Sequence, residues 1–177
     1  LFRINRTTRD NARDYARIMM ERGQRRVAVA YDLRNRSFTE SWLKEFKAAL
    51  EEGGAPLVVA VPYDSQPDTR FDELMGQMLA ARPDSLFFIA GALDVARLAQ
   101  QARKQAPALP IGASEWAATE QLIELGGEVV DGLLDLFAIE KRGRTNFVSH
   151  FDKVRQRHVC NRVCVGLAEC LKLFESR

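Results

Sequence analysis

RVAVAYDLRNRSFTESWLKEFKAALEEGG, residues 26–54, decides the fold. It begins with an apolar run of small and β-branched residues, Val27 to Ala30, in which no polar residue alternates. Such a run suits a strand covered on both faces. A helical window follows at 38–52, where Trp42, Phe46, Ala49 and Leu50 fall on one face, and Gly53-Gly54 ends it. A buried strand that feeds a one-sided helix is the unit from which parallel sheets are built, because parallel neighbours need a crossover and a helix supplies it.

The unit repeats on either side. PLVVAVPY (56–63), SLFFIAG (85–91), LPIGAS (109–114) and VVDGLLDLFA (129–138) are short, apolar and strand-like. Between and before them lie amphipathic windows. Residues 9–22 put Ala12, Tyr15, Ala16 and Met19 on one face, and Gly23 stops them. Residues 70–82 do so with Phe71, Leu74, Met75, Met78 and Leu79, stopped before Pro83. Residues 94–106 use Val95, Leu98, Ala99 and Ala102, stopped before Pro107, and a shorter helix is expected over 117–125, before Gly126-Gly127. Strand and helix alternate four times, which demands right-handed crossovers. The expected fold class is α/β: a doubly wound, mostly parallel five-stranded sheet of order 2-1-3-4-5 with helices on both faces. After Ala138 the pattern changes to a polar connector, IEKRGRTN, and two helical segments with no strand. The expected division is a lobe over 1–138 and a helical segment over 139–177.

Length and charge narrow the function. The 177 residues suit one domain, and 46% hydrophobic content suffices for a core. A net charge of +2 and the absence of a basic face interleaved with stacking aromatics argue against nucleic-acid binding. The local clusters Arg22, Arg25, Arg26 and Lys141, Arg142, Arg144 sit at helix ends or in loops, where solvated charge explains them. No run reaches the ~20 apolar residues of a membrane span. The chain starts at Leu1, so a longer parent protein is expected. Cys160, Cys164 and Cys170 follow His158, but the spacing H-x-C-x3-C-x5-C matches no zinc pattern, so packing thiols and no metal are expected.

The motifs that hold phosphates are absent. No G-x-G-x-x-G follows the first strand, and no P-loop and no G-x-S-x-G occur, so no nucleotide cofactor and no hydrolase nucleophile are expected. A receiver-like domain would need acidic residues after strand one beside an Asp near Asp94, but Leu33 and Arg34 occupy those positions. His150 and His158 lie in the late helices, away from every strand end. No catalytic group is expected.

Ligands of doubly wound sheets sit beyond the carboxyl ends of the strands. There the sequence offers Asn35-Arg36-Ser37-Phe38-Thr39-Glu40 after strand one, Gly91-Ala92-Leu93-Asp94 after strand three and Ser114-Glu115-Trp116-Ala117 after strand four. Ser37-Phe38-Thr39-Glu40 fits a capping box, with Ser37 as N-cap and Glu40 reaching back. Such a helix start offers free amides to a carboxylate. Phe38 and Trp116, each of which alone suggests packing, together with Gly91-Ala92 suggest the wall of a ligand cleft.

These residues also carry a family resemblance. SEWAATEQLIELGGEVVDGLLDLFA resembles a segment typical of type 1 periplasmic binding proteins, in the branch that serves branched-chain amino acid ABC transporters. LFRINRTTRDNARDYARIM, RVAVAYDLRNRSFTESWLKEFKAALEEGG and SLFFIAGALDVARLAQQARK are similar to three further segments of that family, in the same order, so that residues 2–138 are covered. The resemblance implies two α/β lobes closing on a small molecule. This chain would be the second lobe without most of its first, entered at Phe2-Arg3 and left near Phe137-Ala138, with the late helices toward the hinge. It implies a ligand that is an amino acid or similar carboxylate, touched by Ser37, Phe38, Thr39, Ala92, Leu93, Ser114 and Trp116, and a membrane permease as partner. The place of action would be periplasmic or extracellular, membrane-associated in Gram-positive-type cells. Phe38-Thr39 stands where the family commonly has Tyr-Gly, and Glu115 is the nearest candidate for the acidic contact that some members make to a ligand ammonium. A receptor's ligand-sensing domain of the same fold is the alternative, and a flavodoxin- or receiver-like signalling domain the more distant one.

Overall fold

The computed structural model describes residues 7–130 and Leu133. The expected helical segment 139–177, with its histidines and cysteines, and the entry at Phe2-Arg3 lie outside the described residues.

The apolar runs become the strands β1 (Val27–Asp32), β2 (Val59–Tyr63), β3 (Ser85–Ile89) and β4 (Ile111–Ala113). All pair in parallel, in the order β2-β1-β3-β4. The windows between become α1 (Thr8–Glu21), α2 (Arg36–Glu52), α3 (Phe71–Ala80), α4 (Ala92–Gln105) and α5 (Glu120–Gly126). The alternating parallel architecture is the expected one. Of the expected fifth strand, Val129 and Val130 belong instead to a 3-10 turn, Gly127–Val130; apart from Leu133, the rest of it lies outside the described residues.

Two further details differ from expectation. β2 starts at Val59 rather than at Pro56, and it is half-exposed rather than covered on both faces. It is the edge strand of the described sheet, which also explains Pro62: a residue with no N–H to donate is tolerated where one side of the ladder is free. The start of α2 also moves. The Asp32 carboxylate accepts the Arg34 backbone N–H at 2.9 Å and caps a 3-10 turn, Leu33–Asn35, that runs into α2 at Arg36. Ser37 is therefore already inside the helix, exposed, and is not its N-cap; Glu40 pairs with Arg36 at 3.4 Å instead of reaching back. An earlier cap, one turn upstream, displaces the capping box.

The sheet carries a core on each face. Against α1 and α2 pack Val27, Val29, Phe87 and Ile89, with Tyr15, Trp42 and Phe46. Phe87 is the hub: Trp42 stacks on it at 5.0 Å and 20°, and Tyr15 meets it edge-on at 5.2 Å. Against α3, α4 and α5 pack Ala28, Ala30, Leu86 and Phe88, with Met75, Met78, Val95, Leu98 and Leu122. At the amino edge of the sheet, Asp84 accepts the backbone N–H groups of Arg25 and Arg26 at 2.8 and 3.0 Å, and the Arg26 guanidinium donates to the carbonyls of Ala81 and Arg82. These two arginines are structural clamps rather than merely solvated charge.

Candidate functional site at the carboxyl ends of the strands

Parallel strands bring all their carboxyl ends to one edge, and α2, α4 and α5 start or stand behind it. Phe38, in the first turn of α2, and Trp116, in the 3-10 turn Glu115–Ala117 after β4, meet there edge to face, with ring centroids 5.7 Å apart at 77°. Both are half-buried. The Trp116 indole lies on Gly91, where a Cβ would stand 3.7 Å from its ring carbons. Three strand ends thus contribute to one patch.

The other expected site residues divide. Ala92 is buried and Leu93 is 43% exposed at the start of α4. Ser37 faces solvent. Thr39 is buried, and its hydroxyl donates to the Asp32 carbonyl at 2.8 Å, so it secures the β1–α2 turn. Ser114 is also buried; its backbone N–H continues the ladder to the Phe88 carbonyl at 2.9 Å, while its hydroxyl has no protein partner.

Two polar arrangements at this edge were not legible in the sequence. In the first, Arg34 bridges two carboxylates. Its guanidinium lies 3.1 Å from Asp32 and 3.2 Å from Asp94, and the Tyr63 hydroxyl donates to the same Asp94 oxygen at 3.2 Å. The two aspartate side chains are 0% and 2% exposed and the Arg34 side chain 51%, so the cation caps the pair from outside. The hydrogen bond to Asp32 raises the Arg34 pKa. Burial, and then the neighbouring Asp94 charge, hold the Tyr63 phenol far above its ordinary value. The cation beside Asp94 also argues against receiver-like magnesium binding. In the second arrangement, the indole N–H of the fully buried Trp42 donates to Glu115 at 2.9 Å, tying the turn after β4 to the core of α2. Trp42 and Glu115 stand far apart in sequence, as do Arg34 and Asp94, and only the sheet order brings them together.

Among the described residues no group of three His, Cys, Asp or Glu is placed to hold a metal ion, and no helix is long and apolar enough to cross a membrane. The edge offers an aromatic wall, a short apolar rim, two carboxylates bridged by Arg34 and the Glu115 carboxylate held by a neutral indole N–H.

Comparison with known proteins agrees with the α/β fold. The family model described as periplasmic binding protein matches residues 1–154. Among solved structures, a putative branched-chain amino acid ABC transporter protein from Rhodospirillum rubrum is 25% identical, covering 75% of this chain and 37% of that one, with a TM-score of 0.67. A leucine binding protein from Thermotoga maritima is 19% identical over 88% of this chain and 50% of its own, at TM-score 0.68. A solute binding protein of an ABC transporter from R. palustris, in complex with 4-hydroxybenzoate, is 20% identical over 69% and 34%, at 0.60. The chain thus spans between about a third and a half of the length of these proteins. No curated protein matches it.

Proposed function

The chain belongs to the type 1 periplasmic binding protein family, and from that premise we propose that it is the second lobe of a two-lobe, extracytoplasmic solute-binding protein. Its role is to capture a small molecule, an amino acid or a related carboxylate, and to present it to the permease of an ABC transporter. The family is one of solute-binding proteins.

The observation that carries this reading is the Phe38–Trp116 pair standing on Gly91 at the carboxyl ends of β1, β3 and β4. Two large half-buried rings at the mouth of a parallel sheet are apolar surface left for something to cover. Facing them across a cleft, a first lobe would complete the site and exclude water when it closes. Ala92 and Leu93 supply the rim at the start of α4, and the helix-start amides there suit an anionic end of the ligand. Ser37, Thr39 and Ser114 frame the same loops, Thr39 through the turn it holds.

Native mass spectrometry of the protein purified without denaturation tests this. A stoichiometric small carboxylate should accompany it, and in the two-lobe protein Trp116→Ala should weaken its retention by at least about tenfold, the loss expected when an apolar anchor worth roughly 1.5–3 kcal/mol is removed. Full affinity in that variant would remove Trp116 from the site.

A further inference from the structure

A groove between α4 and the connector that leads from β2 to α3 involves none of the aromatic-wall residues, and what it binds does not depend on the solute-binding reading. α4 turns Val95, Leu98, Ala99 and Ala102 into the core. Arg97, Gln100, Gln101 and Lys104, which follow one another at helical spacing, share another face. That face is one wall of an open groove of about 390 Å³, and the connector from Pro67 with the first turn of α3 is the other. Both walls are fixed. In the connector the Thr69 hydroxyl accepts the Gln66 backbone N–H at 2.7 Å and donates to the Asp64 carbonyl at 3.0 Å. The Gln105 side-chain amide donates to the Asp72 carbonyl at 3.3 Å and ties α4 to α3.

The groove is cationic. Asp72, the one carboxylate that lines it, is taken by Arg70 at 3.2 Å, and Arg70 also reaches Glu73 at 3.1 Å. Among the described residues, Arg97 and Lys104 pair with no carboxylate. The half-buried Arg97 is instead held over the Phe71 ring, 5.8 Å from its centroid, which orders the guanidinium and leaves its donors unused. Between the two cations, the side-chain amides of Gln100 and Gln101 make no hydrogen bond among the described residues. Arg97 and Lys104 stand two helical turns apart, so their Cα atoms are separated by about 10 Å. An amide both donates and accepts, so the stretch between the cations suits a peptide backbone better than a bare anion. A polyproline II chain repeats every three residues with a rise of about 3.1 Å, so its residues i and i+3 face one way at about 9 Å, and its backbone groups are unpaired within the chain.

We propose that this groove docks an acidic protein segment in polyproline II form. Its carboxylates at i and i+3 meet Arg97 and Lys104, and its backbone meets the amides of Gln100 and Gln101.

Two matched peptides isolate the charge: acetyl-Glu-Pro-Pro-Glu-amide and its neutral counterpart acetyl-Gln-Pro-Pro-Gln-amide. Amide NMR titrations of the full chain should show progressive shifts at Thr69 and along 97–104, with a dissociation constant at least about fivefold lower for the acidic peptide. Added salt should narrow that gap, because the cations are reached from solvent. Lys104→Gln, at an exposed position outside the core, should weaken the acidic peptide by about threefold and leave the neutral one unchanged. Arg97→Gln should do the same, and Lys104→Gln keeps the test sound if losing the Phe71 contact disturbs the fold. Equal binding of the two peptides, no binding, or shifts confined to other surfaces would overturn the proposal. Glutarate binding as tightly as the acidic peptide would also overturn it, in favour of a small-anion site.

Discussion

Glu115 shows how one side chain can change occupation between sequence and structure. Its place after β4 suggests a ligand contact, yet its carboxylate closes a hydrogen bond to the one polar atom of a fully buried indole. Removing it strands that N–H in the core. Glu115→Ala should therefore lower stability by about 1–3 kcal/mol, the cost of a buried donor left unpaired, while Ser37→Ala should stay within roughly 0.5 kcal/mol of the parent, as exposed positions outside a cap do. Urea midpoints of the two variants measure this, and the reverse order would return Ser37 to the cap and Glu115 to solvent. The S-x-x-E pattern was a sound local signal. It failed because Asp32, two residues before Arg34, caps the chain first, and a pattern match cannot rank two competing caps.

At the scale of elements, the Asp32–Arg34–Asp94–Tyr63 group joins the end of β1, the end of β2 and the first turn of α4. It fixes the floor on which the rim residues stand. The helices and strands themselves were legible, since each follows from an apolar period and a Gly or Pro stop. This group was not, because a hydrogen bond spanning 60 residues leaves no local trace. Its consequence can be read in the alkaline range. Below the ordinary phenol value of 10.0 the Tyr63 proton is held in folded and unfolded chains alike, and the stabilisation is fully present. Above it the unfolded chain releases that proton while burial and Asp94 keep it on the folded one. The unfolded state then binds fewer protons, and stability falls as pH rises, until the folded phenol itself ionises. The urea midpoint of the parent should decline above pH 10.0, and the decline should be shallower in Tyr63→Phe. Equal slopes in the two proteins would mean that the hydroxyl reaches water when folded.

For the whole molecule, the governing fact is that one sheet serves two cores. Along β1, Val27 and Val29 face α1 and α2 while Ala28 and Ala30 face α3 and α4; along β3, Phe87 and Ile89 divide from Leu86 and Phe88 in the same way. The strand order was legible because strictly alternating strands and helices leave few right-handed arrangements. That Val129 and Val130 enter a 3-10 turn was not, since a short apolar run has no period that separates a strand from a turn. The shared sheet makes a strong prediction about cooperativity. Phe87 touches Tyr15, Trp42 and Phe46 on one face only, and Phe87→Ala should cost about 3–5 kcal/mol through the cavity it leaves among them. If β1 and β3 are a common wall, that loss cannot stay on its own side. Amide hydrogen exchange should show protection in α4, across the sheet, falling by about as much as protection in α2, because both helices are released only when the central strands open. Protection that falls in α2 but persists in α4 would mean that the two faces are separately stable, and that the half of the lobe carrying Ala92 and Leu93 can present its rim without the half carrying Phe38.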